Sequence, residues 1–98
     1  MIQHTVAFRL IHPRGSEAEA DFLAAGRRVL ASIPGVEDFA LSEQVGKKSP
    51  LTWHFSMLFA DEATYAAYND HPDHLHFVES RWLPEVAEFQ EWDLVEVL

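Results

Sequence analysis

Tyr65-Ala66-Ala67-Tyr68-Asn69-Asp70-His71-Pro72-Asp73-His74-Leu75-His76-Phe77 is the stretch on which the reading of this chain turns. Pro72 disfavours helical geometry at His71, so a helix arriving through Tyr68 breaks there. The same proline suits the first position of a new helix. The segment therefore reads as helix, break, helix. Asp61 has N-cap chemistry for the first helix, Glu62 to Asp70. The second runs from Pro72 to about Leu83, where Pro84 precedes a turn.

Outward from this segment the period changes from helical to two. Thr52 to Ala60 places Trp53, Phe55, Met57 and Phe59 on one face and Thr52, His54, Ser56 and Leu58 on the other. That is the strongest strand signal in the chain. On the far side, Phe89 to Leu98, with Trp92, Leu94, Val95 and Val97, reads as the last strand. Residues 2–11 alternate too: Ile2, His4, Val6, Phe8 and Leu10 share one face, which puts His4 on the side expected to be buried. Ser16, with Glu19 at capping-box spacing, starts a helix whose stripe is Phe22, Leu23, Val29, Leu30 and Ile33. Gly26 inside it costs roughly 1 kcal/mol against alanine, which implies close packing or room for a ligand. Ile33-Pro34-Gly35-Val36 stops that helix, and Val36 to Val45 is a weaker strand. The order is strand, helix, strand, strand, helix, strand. The fold class is α+β: a ferredoxin-like four-stranded antiparallel sheet with helices on one face, as a single domain over residues 1–98. The second strand faces are mixed rather than polar, so another sheet is expected to cover them.

The 98 residues carry sixteen acids and seven bases, for a formal charge of −9. That balance is poor for nucleic acid, where phosphate contacts supply most of the affinity, and for an anionic membrane surface. The absence of cysteine excludes disulfides, thiolate metal sites and a cysteine nucleophile. The first residues lack the basic and apolar regions of a signal peptide. No apolar run approaches the roughly 20 residues of a membrane span. A cytoplasmic protein is the expectation. A domain this small buries only about 60–65% of its unfolded surface, which favours pairing with a second copy.

Tyr68, His71 and His74 recur at intervals of three, the spacing of one helix face. The break at Pro72 bends that line toward a point that His4 can also reach. An imidazole exchanges protons near neutral pH. A tyrosine hydroxyl can hold a carbonyl oxygen. Those are the parts for abstracting a proton beside a carbonyl. The bland readings are that His71 caps the new helix, His76 faces solvent, and His4 and the tyrosines simply pack. His71, His74 and His76 with Asp70 or Asp73 do not make a standard zinc spacing, so neither a metal nor any other cofactor is expected.

Ile2-Gln3-His4-Thr5-Val6-Ala7-Phe8, the Ile33-Pro34-Gly35-Val36 turn, and Tyr68-Asn69-Asp70-His71-Pro72-Asp73-His74 resemble the stress-responsive dimeric α/β-barrel (Dabb) family over nearly the whole chain. The resemblance implies a homodimer in which two sheets pack face to face as a barrel with helices outside. Family members include a plant polyketide cyclase that closes a ring by aldol condensation without a metal. By that likeness His74 is the base, Tyr68 holds the substrate carbonyl, and His4 and His71 match the remaining histidines. Gly26 falls where the cyclase has a pocket tyrosine, so the lining differs. Phe8, Trp53, Gly26 and His71 are the expected substrate-binding positions, and His74, Tyr68 and His4 the expected catalytic ones. Three functions follow: a dimer that binds a small apolar or carbonyl-containing ligand, a cofactor-independent cyclase or isomerase, and, by analogy of fold alone, a dimeric-barrel monooxygenase.

Overall fold

Strand β1 (Ile2–Leu10) lies inside an antiparallel sheet of order β2-β3-β1-β4 in the computed structural model, which describes residues 1–98. Here β2 is Glu37–Glu43, β3 is Trp53–Phe59 and β4 is Val86–Leu94. The register sets His4 opposite Met57 on β3 and opposite Asp93 on β4. Residues facing one another across a ladder share a sheet face. His4, Val6, Phe8, Phe55, Met57, Phe59, Phe89, Glu91 and Asp93 therefore stand on one side, under the helices. Gln3, Thr5, Ala7, His54, Ser56, Leu58, Trp92 and Leu94 stand on the other, which no helix covers.

Helix α1 (Glu17–Leu30) begins as its sequence dictates. The Glu19 N–H donates to Ser16 Oγ at 3.2 Å, and the Glu19 carboxylate accepts from the Gly15 N–H at 2.9 Å. Its inner face buries Phe22, Ala25 and Leu30. Helix α2 (Glu62–Asp70) is capped by Asp61, whose carboxylate accepts from the Thr64 N–H and hydroxyl. Those two bonds, the side-chain one first, hold the Asp61 carboxyl below its ordinary pKa.

The break falls at His71, with an extended ψ of 135°, and α3 (Pro72–Phe77) follows with Pro72 in its first turn. Beyond Phe77 the structure departs from the pattern. The backbone widens into a π-helical turn, Val78–Trp82, then tightens into the short α4 (Leu83–Glu85). The Leu83 N–H reaches back to the Val78 carbonyl. Pro84 has no N–H and crowds the carbonyl four residues before it, so a wider turn accommodates it without ending the helix. The last strand consequently starts at Val86, not Phe89. It stops at Leu94, not Leu98, because its pairing partner β1 runs out beside Gln3.

The core is aromatic. Phe8, Phe22, Phe55 and Phe59 are fully enclosed, with Met57 beside them. Each such side chain contributes about 1.5–3 kcal/mol by leaving water. Phe8 meets Phe55 at 4.8 Å, Trp82 at 5.0 Å and Phe22 at 5.8 Å between ring centroids.

Candidate functional site

A cavity of about 350 Å³ separates the covered face of the sheet from α2, α3 and the π-helical turn. It opens beside β4, an edge strand. Eleven of its fifteen lining residues are hydrophobic, and the polar remainder is His4, Asn69, His74 and Glu91. The walls thus select apolar bulk, and a few polar atoms decide orientation.

His74 comes from the first turns of α3. Its Nδ1 lies 3.0 Å from the Asn69 carbonyl oxygen at the end of α2. A carbonyl only accepts, so Nδ1 carries the proton and Nε2 keeps its lone pair. Burial holds the His74 pKa below the ordinary imidazole value, outweighing the Asn69 bond and the field of Glu91, while His4 adds to the lowering. The ring is therefore a neutral base with a defined tautomer.

Tyr68 is 2% exposed, and its ring lies tilted at 46° against that of His74, with centroids 4.5 Å apart. No protein hydrogen bond engages its hydroxyl. No polar side-chain atom is sealed away without a partner, so that hydroxyl meets the cavity it lines. Burial raises its pKa strongly, helped by Tyr65 and Glu91, so it stays a donor.

His4 is buried on β1, and its ring lies 6.1 Å from that of Tyr68. Its Nδ1 is 2.6 Å from Asp93 Oδ1 and 3.0 Å from the Tyr65 hydroxyl oxygen. The Tyr65 hydroxyl in turn donates to Asp93 Oδ2 at 2.9 Å. Burial first, then the bond to Asp93, raises the Tyr65 pKa. The closed triangle fixes His4 with Nδ1 protonated and Nε2 without a protein partner.

The expected catalytic trio, His74, Tyr68 and His4, thus surrounds one cavity within one chain. The expected substrate-binding residues do not line it. Phe8 is wholly inside the core. Trp53 donates from Nε1 to the Glu19 carboxylate at 3.2 Å and carries the Arg14 guanidinium over its ring. At Gly26 an added Cβ would meet Phe55 Cζ at 2.6 Å, so the glycine serves close packing. His71 caps α3, its Nδ1 accepting from the Asp73 N–H at 3.1 Å. His76 is exposed. Nowhere do three or more His, Asp or Glu side chains converge as a metal-ligand set.

Tyr65 and Glu91 at the cavity, and Asp93 beside His4, are positions the sequence pattern does not single out. The signal for Asp93 is a register: it faces His4 directly across the β1–β4 ladder. A second depression, of about 480 Å³, lies on the outer side of the helices. Its Arg81 is paired with Glu85 and Asp21.

Comparison with known proteins agrees with this architecture. The model of the stress responsive A/B barrel domain family matches residues 2–96. A Dabb family protein of ferredoxin-like fold from Mesorhizobium loti is 46% identical, with a TM-score of 0.97 over 98% of this chain and 96% of that one. A dimeric ferredoxin-like protein of unknown function from Thermobifida fusca is 21% identical, with a TM-score of 0.79 over 97% of this chain and 90% of its own. The hydroxynitrile lyase of Passiflora edulis is 13% identical, with a TM-score of 0.84 over 98% and 93%. At such identities the last two share the fold alone. No curated protein matches the chain.

Proposed function

The chain belongs to the stress responsive A/B barrel domain family, and from that premise we propose that its cavity binds a small, largely apolar ligand carrying a carbonyl group. One observation carries the reading: a buried tyrosine hydroxyl, unclaimed by any protein acceptor, faces an apolar cavity of about 350 Å³. The hydroxyl is open to that space, so a ligand oxygen can accept its hydrogen bond in place of water. The test is titration with benzylacetone, an uncharged aryl ketone, followed by the ¹³C methyl signal of Met57, which lines the cavity. Saturable displacement of that signal, weakened by Tyr68→Phe, is the expected result. An unmoved signal in the wild type would reject the reading.

A second reading, a cofactor-independent enzyme of the cyclase or isomerase type, is favoured by the tautomer of His74. Its Nε2 lone pair can take a proton from the carbon beside the carbonyl. The electron pair of that C–H bond passes to the carbonyl oxygen as an enolate, which accepts a hydrogen bond from Tyr68. The imidazolium then returns the proton to carbon, or the enolate carbon attacks a second carbonyl, whose π electrons pass to its oxygen, and that oxygen takes the imidazolium proton. Incubating the ketone in heavy water reads out the first step as deuterium at the α-carbon. His74→Gln is expected to slow that exchange by roughly 10²–10⁴, the range of a positioned general base. Equal exchange in both proteins would exclude His74 as the base.

We also propose a homodimer formed through the uncovered sheet face. Trp92 and Leu94 are each 48% exposed there, and structural neighbours are described as dimeric.

A further inference from the structure

We propose that the cavity discriminates neutral carbonyl compounds from carboxylates, and that Glu91 sets this preference; the inference rests on the binding reading above. Glu91 is the one acidic side chain in the lining, and the lining holds no lysine or arginine. It stands on β4 opposite Val6, on the covered face at the open side of the cavity. No cation neutralises it. Arg9 pairs with Glu88, Arg14 with Glu19 and Glu43, and Arg81 with Asp21 and Glu85.

Neither imidazole offers a compensating positive charge. His4 already has a carboxylate of its own, Asp93, at 2.6 Å. His74 is held neutral by its burial. The field of Glu91 reaches the inner groups, since it adds to the upward pull on Tyr65 and Tyr68 and opposes the downward one on His74. The chain's net charge of −9 acts in the same sense.

An anion entering this space gives up its hydration to apolar walls, finds no cation and meets a like charge. A ketone of the same shape loses little hydration and gains the Tyr68 hydroxyl. The substrate class that follows is the neutral ketone or aldehyde, not the keto acid or acyl phosphate. The preference is set by an exposed residue at the mouth, where a substitution leaves the core intact.

The isosteric pair benzylacetone and hydrocinnamate tests this, since a methyl group in one stands where a carboxylate oxygen stands in the other. Titrations at about pH 8, above the range of an ordinary imidazole, remove histidine protonation from the comparison. The expected result is hydrocinnamate binding about tenfold or more weakly, as a like charge close by in partly aqueous surroundings implies. Glu91→Gln should recover most of that gap, and Glu91→Lys should close it. Added salt should narrow it in the wild type. Equal affinities in the wild type, or a gap unmoved by Glu91→Gln and by salt, would overturn the assignment while leaving ketone binding in place. Failure of both compounds to displace the Met57 signal would overturn this inference and the binding reading together.

Discussion

A desolvated imidazole stays a base through neutral pH, and His74 is one by virtue of where α3 places it. Its folded pKa lies below the ordinary value of 6.5 because burial penalises the charged ring. The unfolded chain therefore takes up a proton before the folded chain does. Stability is full above the unfolded pKa and is lost as pH falls through the folded one. His54, desolvated on the uncovered sheet face, acts in the same direction. Denaturant unfolding between about pH 7.5 and pH 5.5 should show falling stability, with a shallower fall in His74→Ala. A slope unchanged by that substitution would remove His74 as a contributor. Gly26 makes a separate case at this scale. Alanine would gain about 1 kcal/mol of helix propensity, but its methyl would sit 2.6 Å from the Phe55 ring. Overpacking of that kind costs about 1–3 kcal/mol. Gly26→Ala should therefore lower the melting temperature, although the sequence alone leaves open whether the glycine makes room for a ligand.

Among elements, the α2–α3 break decides the site. His71 leaves helical geometry ahead of Pro72 and caps α3 from its ring nitrogen. That kink turns His74 back over the end of α2, where its Nδ1–H finds the Asn69 carbonyl. His71→Ala removes the cap and should cost about 0.5–1 kcal/mol while weakening ketone binding, because the first turn of α3, which carries His74, is held less firmly. A binding constant unaltered by His71→Ala would separate the cap from the site. This break is legible in the sequence, since Pro72 has local consequences that tertiary structure cannot undo. So are β1 and β3, whose alternation is uninterrupted. The π-helical turn is not, because a helix that widens around Pro84 and one that ends before it have the same local pattern. Asp93 and Tyr65 are hidden for another reason. Their meeting with His4 depends on the register of β4 against β1 and on the tilt of α2, and neither is encoded within a short window. Trp53 and Phe8 are legible as apolar strand positions, but which core positions border a cavity depends on how aromatic rings pack, not on which strand face they occupy.

For the whole molecule the open question is what covers the second face of the sheet. Helices shield one side only. Across the other run Gln3, Thr5 and Ala7 of β1, His54, Ser56 and Leu58 of β3, and Trp92 and Leu94 of β4. On this face Thr5 is buried even in the single chain, its hydroxyl donating to the Trp92 carbonyl at 2.9 Å. Trp92 and Leu94 stand proud of the face, each 48% exposed. Burying a tryptophan at the centre of an interface supplies binding energy out of proportion to its number of atoms. A symmetric dimer presents the same patch twice, so each Trp92 would be covered by its counterpart sheet. Sedimentation equilibrium at micromolar concentration should return twice the mass of one chain, and Trp92→Glu should return the mass of one. The cavity lies on the opposite face of the sheet from the proposed interface, so the monomeric variant should still bind benzylacetone. A wild-type mass of one chain would reject the dimer. Loss of ketone binding in a folded Trp92→Glu monomer would show instead that pairing shapes the cavity through β4, whose inward side chains Phe89 and Glu91 line it from the strand that also carries Trp92.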